Sequence, residues 1–276
     1  GYSLNSKLFS VSDCQAIIKK AIVERLKGKY HLDWLEETGV KYQIQFSIMK
    51  DTVCLLIDTT GIGLHKRGYR LQANGAPMKE TLAASLCNLA RLRPYHTLYD
   101  PMCGSGTILI EGAMLALKMA PGIHRRFAAE AFPQVPAQVW AEERTRAKDL
   151  VDFDCSFHAF GSDLDPAAVE LAKENARRAG VEKRITFEVK DIRDFTPQSE
   201  RGTVIVNPPY GERLLEEEEA NRLYQILGEK FKQERGWAYN IISPSEDFEA
   251  LFGRKADKRR KLYNGMIKCQ YYMYFK

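Results

Sequence analysis

The chain has 276 residues, of which 45% are hydrophobic and 28% are charged, so it is long and apolar enough to bury a sizeable core. No run approaches the roughly 20 apolar residues of a membrane span and no secretory signal opens the chain, which argues against a membrane protein and favours a cytoplasmic one. The six cysteines include no C-x-x-C pair and the five histidines lack ligand spacing, so the sequence predicts no metal site.

The net charge of +5 is unevenly distributed along the chain. Residues 1–70 contain 11 basic and 7 acidic side chains and residues 251–276 contain 8 and 1, so the stretch between them is acidic. Basic ends around an acidic middle suit a catalytic core whose flanks meet a polyanion. Ordinary solvated lysines would produce the same pattern, and charge alone does not separate the two interpretations.

The N-terminal part predicts a small α+β unit over residues 1–61. Ser12 is predicted to begin a helix, with Gln15 three positions later as in a capping box. Alternating apolar and polar residues over 42–48 predict a half-buried strand, which a turn connects to a second strand at 52–58. One helix and a hairpin therefore precede the rest of the chain.

Beyond this unit the pattern changes. The polar, basic segment 62–76 predicts a linker, and residues 77–276 alternate between helix and strand, as a doubly wound parallel sheet requires. Pro77 suits the first turn of the first helix. The long stretch between the first two strands predicts two helices in an insertion that covers one face of the sheet. The predicted strands lie near residues 97–100, 158–163, 185–189, 203–206, 238–243 and 269–275.

Three acidic motifs follow predicted strands. In YDPMCGSGT (99–107), a strand ends at Asp100 and a glycine-containing turn leads into a helix, so backbone can approach a ligand. In GSDLDP (161–166), Asp163 can accept hydrogen bonds from a ribose diol, whereas Asp165 is better explained as a helix N-cap. In VKDIRDF (189–195), Asp191 can accept a hydrogen bond from an adenine amine. The third glycine of a dinucleotide fingerprint is absent, which argues against an oxidoreductase.

The fourth motif, VIVNPPYGER (204–213), carries the chemistry. Two prolines fix the backbone after a buried strand and remove two amide donors. The Asn207 side-chain oxygen and the Pro208 carbonyl are then a pair of acceptors for an –NH2 group, and Tyr210 offers an aromatic face to a flipped-out base. Because an aromatic amine's lone pair is delocalised, acceptors that hold its hydrogens make it a better nucleophile and stabilise the positive charge that develops.

In this order on alternating strands, DPMCGSGT, GSDLDP, VKDIRD and NPPYGER resemble the Rossmann-like S-adenosylmethionine methyltransferases. The NPPYGER form and the long gap before GSDLDP resemble the guanine-N2 RNA methyltransferases of the RlmL type. SKLFSVSDCQAIIKKAI, from Ser6, is similar to the second half of a THUMP domain, an RNA-binding module. The resemblance implies that a complete module has further chain before Gly1. APMKETLAA and RKLYNGMIKC also look like that family's flanking segments.

The resemblance implies S-adenosylmethionine as cofactor and an RNA substrate, with ribosomal RNA favoured. It assigns cofactor binding to Asp100, Pro101, Cys103, Gly104, Gly106, Thr107, Asp163, Asp191 and Asn207. It assigns the target guanine to Asn207, Pro208, Pro209 and Tyr210. Candidates for contact with RNA phosphates are Lys66, Arg67, Tyr69, Arg70, Arg254, Lys258, Arg259 and Arg260.

Other interpretations remain open on sequence alone. The same acceptors suit a tRNA guanine, a DNA adenine or a protein glutamine. A nonenzymatic RNA-binding protein with a vestigial nucleotide pocket is an alternative of another class, although NPPY would be the expected loss in such a protein. The THUMP-like opening favours RNA over DNA or protein, and does not separate ribosomal from transfer RNA.

Overall fold

The computed structural model describes residues 1–70, 78–211, 214–232 and 235–275. The chain divides into two compact units, one of residues 1–63 with 126–141 and the other of residues 64–125 with 142–276. The predicted start of a helix at Pro77 lies outside the described residues, as do residues 71–76 of the predicted linker. Residues 64–70 belong to the second unit.

The first unit is a three-stranded sheet with one long helix. The elements in chain order are β1 (Tyr2–Leu4), α1 (Val11–Tyr30), β2 (Gln43–Met49) and β3 (Thr52–Asp58). The predicted hairpin is confirmed: β2 and β3 are antiparallel, and Lys50 and Asp51 at the turn both have positive φ. Strand β1, which was not predicted, pairs in parallel with β2. Cys14, Phe46 and Ile48 form the buried core of this unit.

The predicted cap of α1 is wrong by two residues. The helix begins at Val11, and the hydroxyl of Ser10, not that of Ser12, accepts a hydrogen bond from the amide of Asp13 at 3.4 Å. Ser10 is the N-cap because its own backbone is extended, with φ −76° and ψ 105°, as an N-cap requires, whereas Ser12 already lies inside the helix.

The predicted insertion also differs from the structure. Residues 126–141 belong to the first unit, whereas the large sheet belongs to the second. The amides of Ala128 and Ala129 donate to the carbonyls of Thr60 and Thr59 at 3.3 and 3.0 Å. The ring of Phe132 stacks on Tyr42, at 4.5 Å between centroids. These partners lie far away in sequence, so the insertion alone gives no sign of them.

The second unit is a seven-stranded sheet with helices on both faces. Its strands are β4 (Thr97–Asp100), β5 (His158–Asp163), β6 (Ile185–Val189), β7 (Gly202–Val206), β8 (Trp237–Ser243), β9 (Lys258–Asn264) and β10 (Ile267–Tyr274). Its helices are α2 (Glu80–Leu89), α3 (Thr107–Ala116), α4 (Ala137–Asp149, shared at its start with the first unit), α5 (Pro166–Ala179), α6 (Leu214–Lys230) and α7 (Phe248–Phe252).

The strand order is β6-β5-β4-β7-β8-β10-β9. The first five strands are parallel to one another, and β10 is antiparallel to both of its neighbours, β8 and β9. The predicted doubly wound sheet is confirmed, including a last strand from Ile267 to Tyr274. The edge strand β9 was not predicted, because its first four residues are all basic. Charged edge strands are common because they prevent pairing with other chains.

Each face of this sheet has its own core. Ile205 packs on the side of α2, α3 and α5, whereas Val204 and Val206 pack on the side of α6 and α7. A strand buried on both faces is apolar at consecutive positions, as β7 is. Strand order reverses between β4 and β7, so the carboxyl ends of these strands open onto the crevice where doubly wound folds bind ligands. Among the described helices, none is both long and apolar enough to cross a membrane.

Candidate functional site

The loop after β4 is tied to the end of β5 by backbone and carboxylate contacts. The amide of Gly104 donates to Asp163 Oδ2 at 2.8 Å, and the amide of Cys103 donates to the carbonyl of Ser162 at 2.9 Å. From below, buried Asn175 of α5 donates to the carbonyl of Ser105 at 3.0 Å. The motif gave no sign of Asn175, which lies in an ordinary amphipathic helix 70 residues away.

The two glycines of this loop serve different purposes. Both have positive φ, +51° at Gly104 and +78° at Gly106. A Cβ at Gly104 would meet nothing within 4 Å, and the residue lines a cleft, so it leaves space for a ligand. A Cβ at Gly106 would lie 3.1 Å from the side chains of Ala172 and Phe187. Gly106 therefore allows close packing within the fold, and does not line either cleft described below.

Asp100 is almost completely buried at the floor of the site, and its Oδ1 accepts a hydrogen bond from the amide of Met102 at 3.3 Å. Burial raises the pKa of this carboxyl to about 8, an effect that the Met102 amide opposes and the Asp163 carboxylate reinforces. A carboxyl with this pKa responds strongly to any cation placed beside it.

Asp163 stands at the end of β5, as predicted. Its Oδ1 accepts a hydrogen bond from the amide of Asp165 at 3.0 Å, and its Oδ2 holds Gly104. Each carboxylate oxygen has a second lone pair, so these bonds leave capacity for a ribose diol. Asp165 caps α5 by accepting a hydrogen bond from the amide of Ala167 at 2.9 Å, and it also lines a cleft.

Asp191 is engaged by its neighbour. Its Oδ1 accepts hydrogen bonds from the amide and the Nε of Arg193 at 2.8 and 3.0 Å, and its Oδ2 pairs with the guanidinium at 2.5 Å. These bonds lower the pKa of Asp191 to about 2. The carboxylate lines the second cleft, so it lies at the ligand-binding edge, but the structure turns it toward its own loop.

In the NPPY loop, Pro208 is buried, Pro209 is exposed, and Asn207 and Tyr210 are half-buried. The hydroxyl of Tyr210 donates to Asn207 Oδ1 at 2.7 Å and accepts from the Nδ2 of Asn264 at 3.1 Å. The Tyr210 ring packs against the core on the α2 and α3 side, and burial raises the pKa of its hydroxyl. Sequence reasoning expected an aromatic face for stacking and missed this hydroxyl link to the β9–β10 hairpin.

Two clefts at the carboxyl ends of the strands meet at Met102 and Asn207, which line both. The first, of about 250 Å³, has Asp100, Cys103, Gly104, Thr107 and Asp165 among its walls. The second, of about 440 Å³, has Pro101, Asp163, Asp191 and Pro209 among its walls. The predicted cofactor residues, Gly106 excepted, are thus brought together around one pair of clefts.

The clefts suit S-adenosylmethionine. Carboxylates in both match the cofactor's sulfonium and ammonium cations and its ribose, and Gly104 leaves open space beside them. Among the described residues there is no group of three or more His, Cys, Asp or Glu side chains that could hold a metal ion instead.

The predicted phosphate contacts before residue 71 fall into two groups. Lys66 is exposed. Arg67 and Tyr69 are directed inward to the buried Glu111, at 3.2 and 3.1 Å, and burial raises the pKa of that carboxyl despite the arginine. The side chain of Arg70 is only 9% exposed. It contacts Glu80 at 3.8 Å and donates to the carbonyl of Met78 and the hydroxyl of Thr107.

Arg67, Tyr69 and Arg70 therefore anchor their segment to the second unit and are not available to a phosphate. The sequence suggested exposure because the stretch is basic and glycine-rich. Its acidic partners, Glu80 and Glu111, lie on helices further along the chain.

The C-terminal candidates lie at the sheet edge. Lys258, Arg259 and Arg260 are exposed on β9. The guanidinium of Arg254, by contrast, stacks over the ring of Tyr274, at 4.7 Å from its centroid. The edge strand thus presents a basic surface, and Arg254 is held within an aromatic cluster behind it.

Comparison with known proteins identifies the two parts of the chain. The family described as "RMKL-like, methyltransferase domain" matches residues 67–273, and the THUMP domain family matches residues 2–58. The "Putative RNA methyltransferase YpsC" of Bacillus subtilis (strain 168) is 44% identical over an alignment of 278 positions that covers 100% of this chain and 72% of YpsC.

Two solved structures are also similar. A predicted N6-adenine-specific DNA methylase from Listeria monocytogenes str. 4b F2365 has a TM-score of 0.91 and 46% identity, over 100% of this chain and 72% of that one. The structure described as "SMU.472, a putative methyltransferase complexed with SAH" (S-adenosylhomocysteine) has a TM-score of 0.90 and 40% identity, over 100% of this chain and 73% of that one. S-adenosylhomocysteine is what remains when S-adenosylmethionine has given up its methyl group. The expectation of this cofactor is confirmed, and the chain belongs to the RMKL-like family of S-adenosylmethionine-dependent methyltransferases, with a THUMP domain at its N-terminal end.

Proposed function

We propose that this protein transfers a methyl group to the exocyclic N2 of a guanine in RNA, with 23S ribosomal RNA as the substrate. The observation that carries the proposal is the position of Asn207. Its side chain lines both clefts, so a base entering beside it would face the part of the site suited to the cofactor. S-adenosylmethionine supplies an electrophilic methyl group when bound.

In this proposal Asn207 Oδ1 and the Pro208 carbonyl accept the two hydrogens of the target amine. They direct its lone pair and stabilise the positive charge that develops on nitrogen. Pro209 fixes the turn, and the Tyr210 ring stacks on the flipped base. No strong base is needed before attack, because the proton is lost from a cationic nitrogen afterwards.

Asp100, Asp163 and Asp191 hold the cofactor in this scheme, through its cationic end, its ribose and its adenine amine respectively. Gly104 gives it space, and Pro101, Cys103 and Thr107 complete the walls. For Asp191 the assignment requires the carboxylate to exchange part of its contact with Arg193 for a contact with the adenine amine. Because Arg193 is exposed to solvent, loss of that ion pair costs little free energy.

An RNA substrate is favoured by three observations. The THUMP domain family matches residues 2–58, YpsC is described as an RNA methyltransferase, and β9 presents consecutive exposed basic residues. The Listeria relative is described as an adenine-specific DNA methylase, and amine acceptors serve adenine N6 as well as guanine N2. DNA adenine methylation is therefore the second candidate, beside a transfer RNA guanine.

The test is methyl transfer from labelled cofactor to purified 23S rRNA, transfer RNA and duplex DNA, followed by mass analysis of the labelled nucleoside. The expected product is N2-methylguanosine in 23S rRNA alone. Asn207→Ala should lower the rate by about 100-fold or more while cofactor binding persists. Asn88→Ala, an exposed asparagine on α2, is the matched control. Label in DNA alone, or near-normal turnover of Asn207→Ala, would refute the proposal.

A further inference from the structure

A third cavity, of about 340 Å³, lies beyond the carboxyl end of β8, and the function proposed above does not use it. Its walls are the loop at residues 244–246, which follows β8, together with Lys268, Cys269 and Gln270 of β10, and Arg259 of β9. The Tyr272 hydroxyl, also on this wall, donates to the carbonyl of Ser245 at 3.0 Å and so fixes the loop against the sheet. The volume is at the lower end of the range of about 300–1,000 Å³ that small-molecule sites occupy.

The cavity lies at the same edge of the sheet as the NPPY loop. Cys269 also lines it, but the alternation of β10 directs the Cys269 Sγ to the opposite face of the sheet from Lys268 and Gln270, where it lies 3.7 Å from the hydroxyl of Tyr210. That hydroxyl in turn contacts Asn207. Strands β7 and β8 are parallel neighbours, so the loops that follow them leave the sheet at the same edge. A molecule in this cavity would therefore lie at the same edge of the sheet as the target base of the proposed reaction, one strand further along.

The side chains that line the cavity suit an anion, because they include more cations than carboxylates and also uncharged hydrogen-bond donors. Arg259 and Lys268 contribute two cations against the single carboxylate of Glu246, and Gln270 adds an amide. The guanidinium of Arg259 is held by Glu249 at 3.6 Å, yet its side chain is 57% exposed, which leaves donors for a ligand. Two such cations with amide and hydroxyl groups match a phosphodiester and its sugar.

The same face of the hairpin continues this chemistry. Lys261 and Tyr263 share the face of Arg259, and the ammonium of Lys261 lies 5.5 Å from the Tyr263 ring centroid. Tyr263 is 55% exposed. Basic side chains interleaved with an exposed aromatic ring are typical of surfaces that follow a single nucleic-acid strand.

We propose that this cavity is a subsite for the RNA strand, and that it binds the phosphate and sugar of a nucleotide next to the target base. The inference rests on the proposed function, because it assumes a flipped base at Asn207. A base leaves its stack only if the backbone on either side is held, and phosphate contacts provide that hold without reading sequence.

The experiment compares Lys268→Glu with wild type, using protein-free 23S rRNA, in steady-state transfer and in direct filter binding. We expect the KM and the Kd for RNA to rise about tenfold, with kcat within a factor of two. The slope of log Kd against log salt should fall by about one. The Kd for S-adenosylmethionine and the melting temperature should be unchanged. Lys183→Glu, an exposed lysine before β6 at the opposite edge of the sheet, is the matched control and should leave every value unchanged.

Lys268→Ala, which adds no repulsive charge, should show a smaller rise in the same direction. An unchanged KM and Kd for RNA in both variants would overturn the inference, as would a loss of RNA binding accompanied by weaker cofactor binding or a lower melting temperature. Calorimetric titration with guanosine monophosphate and with inorganic phosphate distinguishes the source of the phosphate. Tight binding of either to wild type but not to Lys268→Glu, with unchanged RNA affinity, would make the cavity a site for a free anion.

Failure of the proposed function gives a different result. If wild type methylates only DNA, or Asn207→Ala keeps its turnover, the amine acceptor or the substrate is wrong. If RNA is methylated, Asn207→Ala is inactive and Lys268→Glu behaves as wild type, only the subsite is wrong.

Discussion

Asp100 is a buried carboxyl whose protonation a cationic cofactor should change. Its pKa of about 8 without ligand means that it is largely protonated at neutral pH. The positive charges of S-adenosylmethionine favour the ionised form, so binding at pH 7 should release a proton, and affinity should rise as the pH increases from about 6 to 8. Calorimetry in buffers of different ionisation enthalpy measures the protons released. Asp100→Asn should abolish the release, and an equal release from that variant would assign it to another group.

The raised pKa of Asp100 also predicts how the free energy of unfolding of the cofactor-free protein depends on pH. The folded protein keeps the Asp100 proton up to about pH 8, whereas an unfolded aspartate loses it near pH 4. Between those values the folded state binds more protons than the unfolded state, so the contribution of Asp100 to the free energy of unfolding falls as the pH rises. Urea midpoints should therefore drop less from pH 5 to pH 8 in Asp100→Asn than in wild type. An equal drop in both proteins would contradict the raised pKa.

The Tyr210 hydroxyl fixes which end of the Asn207 carboxamide is the oxygen. It donates to Oδ1 while Asn264 donates to it, so the amide nitrogen of Asn207 must point elsewhere. Tyr210→Phe keeps the ring and removes this bond, which is worth about 1 kcal/mol. We expect kcat to fall several-fold to tenfold, with the Kd for cofactor unchanged, in single-turnover assays. Tyr95→Phe, which removes a hydroxyl from an exposed ring outside both proposed sites, is the control. An unchanged kcat in Tyr210→Phe would show that the hydroxyl does not position Asn207.

At the scale of elements, the β4–α3 loop allows its two glycines to be separated by experiment. Gly104→Ala places a methyl group in the cleft at positive φ, which costs about 1–2 kcal/mol, and should mainly weaken cofactor binding. Gly106→Ala adds contacts at 3.1 Å with Ala172 and Phe187 to the same backbone cost, so it should lower stability more. Urea unfolding and cofactor titration of both variants check this difference. Equal losses of stability would show that the packing of Gly106 is not tight.

The elements that sequence predicted well are those whose local pattern agrees with their environment. The hairpin from β2 to β3 alternates as a half-buried pair must, and β7 is apolar throughout because both of its faces are covered. Edge strand β9 was missed because its first four residues are basic and exposed to solvent, so its sequence shows no alternation of apolar and polar residues. The segment around Phe132 was misplaced because its packing partners are remote in sequence.

The candidate site shows the same division. Asp100, Asp163 and Asn207 could be placed near each other because the ends of parallel strands share one edge of a sheet. The direction of a side chain could not be predicted, since it depends on remote partners. Arg70 turns inward to Glu80, and Tyr210 toward Asn264, through contacts that no local pattern contains.

Over the whole molecule, acidic and basic side chains occupy different surfaces, and each surface suits a ligand of the opposite charge. Carboxylates line the two clefts that suit a cationic cofactor, whereas Lys258 to Lys261 make the far edge of the sheet basic. Register places Lys258 and Arg260 on one face of that edge and Arg259 and Lys261 on the other, so basic groups are available to a strand on either side. A modest net charge of +5 thus conceals two local fields of opposite sign.

That separation predicts that RNA binding and cofactor binding differ in their dependence on salt. Phosphate contacts release counterions, so log KM for RNA should rise linearly with log salt, while the Kd for S-adenosylmethionine changes little. Replacing Lys258 and Arg260 together by Gln removes two contacts and should lower the slope by about one to two, because each phosphate contributes about 0.7 for a single strand. Lys183→Gln with Arg201→Gln removes equal charge from exposed positions that precede β6 and β7, away from the β9 edge, and should leave the slope unchanged. Equal reductions in both double variants would mean that net charge, and not the β9 edge, governs RNA binding.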